Sequence, residues 1–316
     1  MTIEAIILVA KFIMTPLAII GVLANLTVII VFINCKIHTR SFAYTLVLQQ
    51  AVIDMLGCCC NVVFSFVNGN TIACRSSVIF YFIIFASSHN LVLISIERYI
   101  AVVHPLKYWA RGTQKIRLLP RLCIPFVSSL LTCFYLPLVL DVNEFGYCLF
   151  KNKIMLISSN VLISISAILL PIVIMLHCYR QVYVTLRQKS RTRAELMTPQ
   201  RIQQPGSTSP AADSKQLRNK AERNFTSTMF INTLIYIILF SPSMLVNLWI
   251  LIFQWYKPNL HLIIIAMICN ALILCNMVAN PFVYAYTFTD YKKGFRKTFR
   301  CRNHRMEHVN QTIPMQ

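Results

Sequence analysis

Residues 78–106 read VIFYFIIFASSHNLVLISIERYIAVVHPL, and their reading decides the fold. No Asp, Glu, Lys or Arg occurs from Val78 to Ile96. A helix needs roughly 20 mostly apolar residues to cross the hydrocarbon of a bilayer. Glu97 and Arg98 then close the run, followed by Tyr99 and, a little later, Pro105 and Leu106. An Arg in that place has one simple use, snorkelling to the membrane interface. Whether it has another depends on what the rest of the chain brings to the same depth.

The chain outside this stretch has the same character. It is 57% hydrophobic and 13% charged, with a mean hydropathy of +0.62. A soluble domain carries about 25% charged residues. Candidate spans fall at 5–33, 42–68, 75–102, 119–140, 154–185, 225–254 and 260–287. Backbone in lipid must satisfy itself, so these are expected to be helices, and the alternation of an outer-membrane barrel is absent from the sequence. The opening run has no basic region before it and is too long for the apolar core of a signal peptide, so it reads as the first span. No internal repeat of the transporter kind is visible.

A net charge of +20 in a soluble protein would suggest nucleic acid. Its placement argues otherwise. Lys36 and Arg40, then Lys107, Arg111, Lys115, Arg117 and Arg121, then the stretch from Arg187 to Arg223, then Lys292 to Arg305 all follow odd-numbered spans. The other side holds Lys11, Arg75, Lys151, Lys153 and Lys257. This asymmetry predicts an extracellular N-terminus (1–4), a seven-span region (5–287) with a mobile cytoplasmic loop at about 188–223, and a cytoplasmic C-terminus. Ser207-Thr208-Ser209-Pro210 in that loop is either a phosphorylation target or filler. Most of the 12 Cys lie in apolar runs and read as small packing residues. The scattered histidines His38, His89, His104, His177 and His261 form no transition-metal set, and no catalytic motif marks an enzyme.

Asp54 is the one acid deep in a span. Such residues are expensive in lipid and mark function by default. Its candidate partners are Asn25, Ser87, Ser88, Asn276 and Asn280, the last two sharing one helix face. The oxygens suit a monovalent cation. The carboxylate could equally bind a proton, or serve as a helix–helix hydrogen bonder. Pro171, Pro242 and Pro281 interrupt the last three spans, and Asn280 is placed to help satisfy the groups Pro281 frees.

The order and spacing of these features resemble those of rhodopsin-like (class A) G-protein-coupled receptors over nearly the whole chain. Asn25, Asp54, Glu97-Arg98-Tyr99, Pro171 with Tyr179, Pro242 and Asn280-Pro281-Phe282-Val283-Tyr284 match the family motifs. Tyr291-Lys292-Lys293-Gly294-Phe295-Arg296 is similar to its amphipathic surface helix, at 288–301, ahead of a 302–316 tail. Cys301 follows as a palmitoylation candidate. The resemblance implies that Asp54, Ser87, Asn276 and Asn280 bind sodium as an allosteric ion, with no other cofactor. It implies a disulfide for which Cys74 and Cys148 fit by position, although Cys74 stands one residue closer to Arg98 than usual. It implies that Glu222, twenty residues before Pro242, pairs with Arg98 at rest, the plain alternative being a solvated loop charge. Glu97 is a second resting partner, and Tyr179 and Tyr284 receive Arg98 on activation. Leu106 belongs to the same coupling face.

The chain also departs from the family. Phe240 stands for the span-six Trp, span four has no Trp, Ser88 and Tyr236 flank Pro171, and Gln50 stands where Leu is common. Phe80 occupies the position of the amine-binding Asp and Leu274 that of the retinal Lys. A candidate pocket of Phe80, Ile84, Phe240 and Met244 with Asn247 as polar anchor suits a small molecule, lipid or short peptide, though Phe80 and Ile84 also fit plain packing. The Asn-x-Thr sequences at Asn25, Asn224 and Asn310 fall inside the membrane or cell on this topology. The expected function is a plasma-membrane receptor activating heterotrimeric G proteins, with arrestin and a receptor kinase as partners through the third cytoplasmic loop. A seven-span ion-coupled transporter or channel using Asp54 is the second reading.

Overall fold

A computed structural model describes the backbone of residues 3–66, 71–112, 118–142, 148–150, 152–197, 210–253 and 260–310. Side chains at several segment ends, including 141–150, 210–222 and 300–310, lie outside the described residues. Among the described residues, seven helices are long and apolar enough to cross a membrane. They run Leu8–Asn34, Phe42–Phe66, Cys74–Val103, Leu119–Val139, Ile154–Lys189, Arg223–Trp249 and Ile264–Thr287, and are called spans one to seven below. The protein is thus a multi-pass helical membrane protein. Phe12, Leu23, Val63, Leu131, Ile238 and Phe282 stay exposed on the outer faces, a waste of apolar surface in water and the natural arrangement in lipid.

The helices extend further than hydropathy alone indicates. Span five continues to Met197, and the span-six helix begins at Pro210, so the polar stretch between them is helical at both ends. Good helix formers such as Arg, Glu, Leu and Gln carry these extensions beyond the apolar region. A further helix, Thr289–Asn310, leaves span seven after Phe288. It is longer than the 288–301 expected. Two short strands, β1 (Leu140–Val142) and β2 (Cys148–Phe150), pair antiparallel between spans four and five. Nothing in the hydropathy pattern announces a hairpin this short.

Span three is the most enclosed of the seven, and spans two, four and five pack around it. Spans one, two and seven meet where residues are small. A Cβ on Gly21 would sit 2.5 Å from Cys58 Sγ and 2.8 Å from a Val278 methyl. A Cβ on Gly57 would sit 2.5 Å from Met277 Sδ. Lipid offers no hydrophobic drive for helices to associate, so close packing of this kind carries the contact.

Four prolines lie inside helices of the spans: Pro16, Pro125, Pro242 and Pro281. Pro171 follows a π-helical segment, Ser164–Leu169, in span five. Each proline leaves the carbonyl four residues earlier without its usual donor. In the last three spans side chains supply one. Tyr236 and Ser88 donate to Ala167 O at 3.0 and 3.1 Å, Ser241 to Ile238 O at 3.2 Å, and Asn25 to Met277 O at 3.1 Å. The expectation that Asn280 repairs the break at Pro281 is corrected here. Asn25 of span one does so, and the Asn280 amide is committed to Asp54.

Replacing Gly21 with Val is expected to wedge span one from spans two and seven, at about 1–3 kcal/mol of stability as for overpacked sites generally. Thermal unfolding of the detergent-solubilised protein reads this, and an unchanged midpoint would show that the three spans are not in tight contact at Gly21.

Candidate functional site

Asp54 is fully buried, and three donors from three spans answer it. Gln50 Nε2 and Ser87 Oγ donate to Oδ1 at 2.9 and 2.8 Å, and Asn280 Nδ2 donates to Oδ2 at 2.7 Å. Gln50 Nε2 also reaches Ser87 Oγ at 2.6 Å, and Gln50 Oε1 accepts from Asn90 Nδ2 at 2.9 Å. Asn90 in turn donates to Leu46 O. Spans two, three and seven are therefore joined through one carboxylate. Asn276 is buried close by in sequence, one turn before Asn280, and its Oδ1 has no protein partner.

Two members of this network, Gln50 and Asn90, are absent from the sequence-based set. Gln50 was visible only as a departure from a resemblance. Its spacing was nevertheless informative, because residues 50 and 54 lie on one helix face. A glutamine there can put its amide against the carboxylate, which a leucine cannot.

A second polar centre joins spans three, five and six. Ser88 Oγ and Tyr236 Oη lie 2.6 Å apart, and both reach Ala167 O. Two hydroxyl protons serve three contacts, so either hydroxyl alone still leaves the carbonyl with a donor. Tyr236 stacks on Phe240 with ring centroids 4.3 Å apart. Of the expected ligand pocket, Ile84 and Phe240 are buried, Phe80 and Met244 are half-buried against the core, and Asn247 is half-buried.

The third centre surrounds Arg98, only 6% exposed. Its guanidinium lies over the Phe225 ring, 4.5 Å from the centroid, and its Nε has no hydrogen-bond partner. Phe225 meets Tyr44 edge-on at 4.6 Å and Phe288 at 5.3 Å. Glu97 Oε1 faces Arg121 at 3.7 Å, and Arg121 lies over Phe42. Tyr99 bonds to His104 at 3.2 Å. Tyr179 and Tyr284 are buried in this half of the bundle, and neither hydroxyl makes a hydrogen bond of good geometry, although Ser95 and Thr233 lie near the first and Asn232 near the second. Leu106 is 86% exposed at the same end. Sequence reasoning found Arg98 and both tyrosines but missed Phe225, Tyr44 and Arg121. No pattern in one sequence says which ring a guanidinium will cover.

Cys74 is disulfide-bonded. The side chains of Cys148, Glu222 and Cys301 lie outside the described residues, although the Cys148 backbone is in β2.

A seven-helix bundle with a buried carboxylate at its centre and a caged arginine at one end has the build of a membrane receptor. The sequence profile described as "7 transmembrane receptor (rhodopsin family)" matches residues 24–284, and the chain belongs to that family. It is 24% identical over 230 residues to the "G-protein coupled receptor homolog Q2/3L" of Sheeppox virus (strain KS-1), covering 70% of this chain and 53% of that protein. It is 25% identical over 332 residues to the alpha-1A adrenergic receptor of Homo sapiens, covering 92% of this chain and 68% of that one. A match to galanin receptor 2a of Danio rerio is 25% identical over 250 residues, or 75% and 61% of the two chains. The chain thus spans about half the length of the sheeppox relative. The family is one of receptors rather than enzymes, and membership does not favour the transporter reading.

Ser88→Ala and Tyr236→Phe are each expected to cost little, about 0.5–1 kcal/mol, because the remaining hydroxyl still serves Ala167 O. The double variant orphans that carbonyl and is expected to exceed the sum by about 1 kcal/mol in a thermal-unfolding cycle. Strict additivity would mean that the two hydroxyls do not share one acceptor.

Proposed function

We propose that the protein is a ligand-operated receptor that activates heterotrimeric G proteins. The observation that carries this reading is the Arg98 centre. A buried cation is held on the face of a span-six ring, and two buried tyrosine hydroxyls without a hydrogen bond of good geometry lie in the same half of the bundle. A ligand at the opposite end acts if it binds better to the conformation in which spans five and six separate at the Arg98 end. Arg98 then leaves Phe225, and Glu222 where that pair forms, for Tyr179, Tyr284 or the G protein. Arrestin and a receptor kinase follow through the loop before span six. The charge asymmetry supports a plasma-membrane topology with the Arg98 end inside. Cys74 pairs with Cys148 on the outer side, and Cys301 carries a palmitoyl group.

The ligand is a small molecule, lipid or short peptide seated near Phe80, Ile84, Phe240, Met244 and Asn247. Some relatives are named for adrenergic and dopamine ligands, but Phe80 offers no carboxylate for a salt bridge to an amine, which disfavours an amine held in that way.

Asp54, Ser87, Asn276 and Asn280 bind sodium in the inactive state. The Ser87 hydroxyl supports this reading from its place against the carboxylate, and the Asn276 Oδ1, buried one turn before Asn280 without a hydrogen-bond partner, is the further oxygen it calls on. Gln50 competes, since its amide already occupies Oδ1.

Arg98→Ala is expected to abolish agonist-driven nucleotide exchange across a panel of G proteins at matched surface expression, and full retained exchange would refute the receptor mechanism. Asp54→Asn should remove the sodium dependence of agonist affinity, whereas Gln50→Leu should strengthen it. A sodium response identical in both variants and the parent would dispose of the ion site.

A further inference from the structure

We propose that Asn224 and Phe225, neighbours at the start of span six, form the latch that holds the Arg98 end closed. This rests on the reading that span six moves in activation, and adds the residues that restrain it.

Three hydrogen bonds and one cation–π contact converge on this pair. Asn224 Nδ2 donates to Thr287 O, the last residue of span seven, at 2.8 Å. Asn224 Oδ1 accepts from Thr289 N at 3.1 Å and from Thr289 Oγ1 at 3.2 Å. Thr289 begins the final helix, where backbone N–H groups have no partner within the helix. Asn224 therefore caps that helix from a different element, doing what an N-cap side chain does from its own.

Phe225 works on the other side of the same turn. It is fully buried between Tyr44 of span two and Phe288, with Arg98 of span three over its face. Tyr44 is itself fixed, donating to Asp290 Oδ2 at 3.4 Å, and Asp290 pairs with Arg40 at 3.1 Å. One residue step thus ties span six to span two, to span three and to the junction after span seven. An outward swing of span six must break all of these contacts together. The two latch residues are themselves neutral, an amide and a ring face, and would hold span six alongside any pairing of Arg98 with Glu222.

A pair of spectroscopic labels at the exposed positions Thr39 and Ser227 reports the swing in nanodiscs without ligand or G protein. Asn224→Ala and Phe225→Leu are each expected to raise the open-to-closed ratio about 3- to 10-fold, the scale of one buried polar or cation–π contact. Graded fluorination of the Phe225 ring keeps its shape and weakens its negative face, so the open fraction should rise with fluorine number. Should Asn224→Ala fail to fold, Thr289→Val removes one of the three bonds from the exposed partner and should shift the ratio the same way by less. Distance distributions unchanged in these variants would overturn the latch, even if nucleotide exchange proceeds normally. Labels that move without exchange on any G protein would keep the latch and refute the proposed function.

Discussion

A proline inside a membrane helix withholds a hydrogen bond that no water is present to replace. Spans five, six and seven each carry one, and each freed carbonyl is met by a side chain. At Ile238 the donor is local, from Ser241. At Ala167 and Met277 it comes from other spans, from Ser88 and Tyr236 in one case and from Asn25 in the other. The repair of a backbone defect is thereby the joint between helices. Span one is fastened to seven, and spans three and six to five, at points the prolines select.

Asp54 extends the same logic from a carbonyl to a carboxylate. A lone carboxylate in a medium of low dielectric is far costlier than a lone carbonyl. Gln50, Ser87 and Asn280 supply donors from three spans, and Asn90 steadies Gln50 in turn. Networks of this kind fix a unique arrangement when every member is satisfied. Asp54 meets that condition on both oxygens, whereas the Oδ1 atoms of Asn90, within the network, and of Asn276, close by in sequence, have no hydrogen-bond partner.

Much of this was legible in the sequence because the membrane imposes a coarse rule. Apolar length predicts a span, and all seven expected spans are present with ends shifted by a few residues. The rarity of polar groups in lipid singled out Asp54, Asn25, Ser87 and Asn280, and the structure joins the last two to Asp54. What stayed hidden depends on side-chain direction. Asn280 was expected to serve the Pro281 break and Asn25 to face Asp54, but which amide reaches Met277 O is decided by helix rotation, and it is that of Asn25. Gln50 looked like a deviation and proved to be a member of the network. Phe225 looked like one apolar residue among many, since a ring's use as a cation platform leaves no mark in its own sequence. The extensions of spans five and six beyond the apolar region follow helix propensity, which a hydropathy window does not read.

The two halves of the bundle are held by contacts of different kinds. In the middle, hydroxyls and amides meet a carbonyl or a carboxylate at 2.7–3.1 Å, within spans where water is scarce. Rotating one helix there would strand a charged or strongly polar group, so the cost rises at once. At the Arg98 end a guanidinium on a ring face, soft in angle and distance, stands beside the hydrogen bonds that Asn224 makes to the junction after span seven. Tyr179 and Tyr284 are buried in the same half, with hydroxyls that make no hydrogen bond of good geometry. The opening proposed for this end, with the middle staying assembled, would draw on this difference. The proline-directed joints hold span six at Tyr236, and on the proposed opening the contacts around Phe225, eleven residues away along the same helix, are the ones that a movement about that point would release.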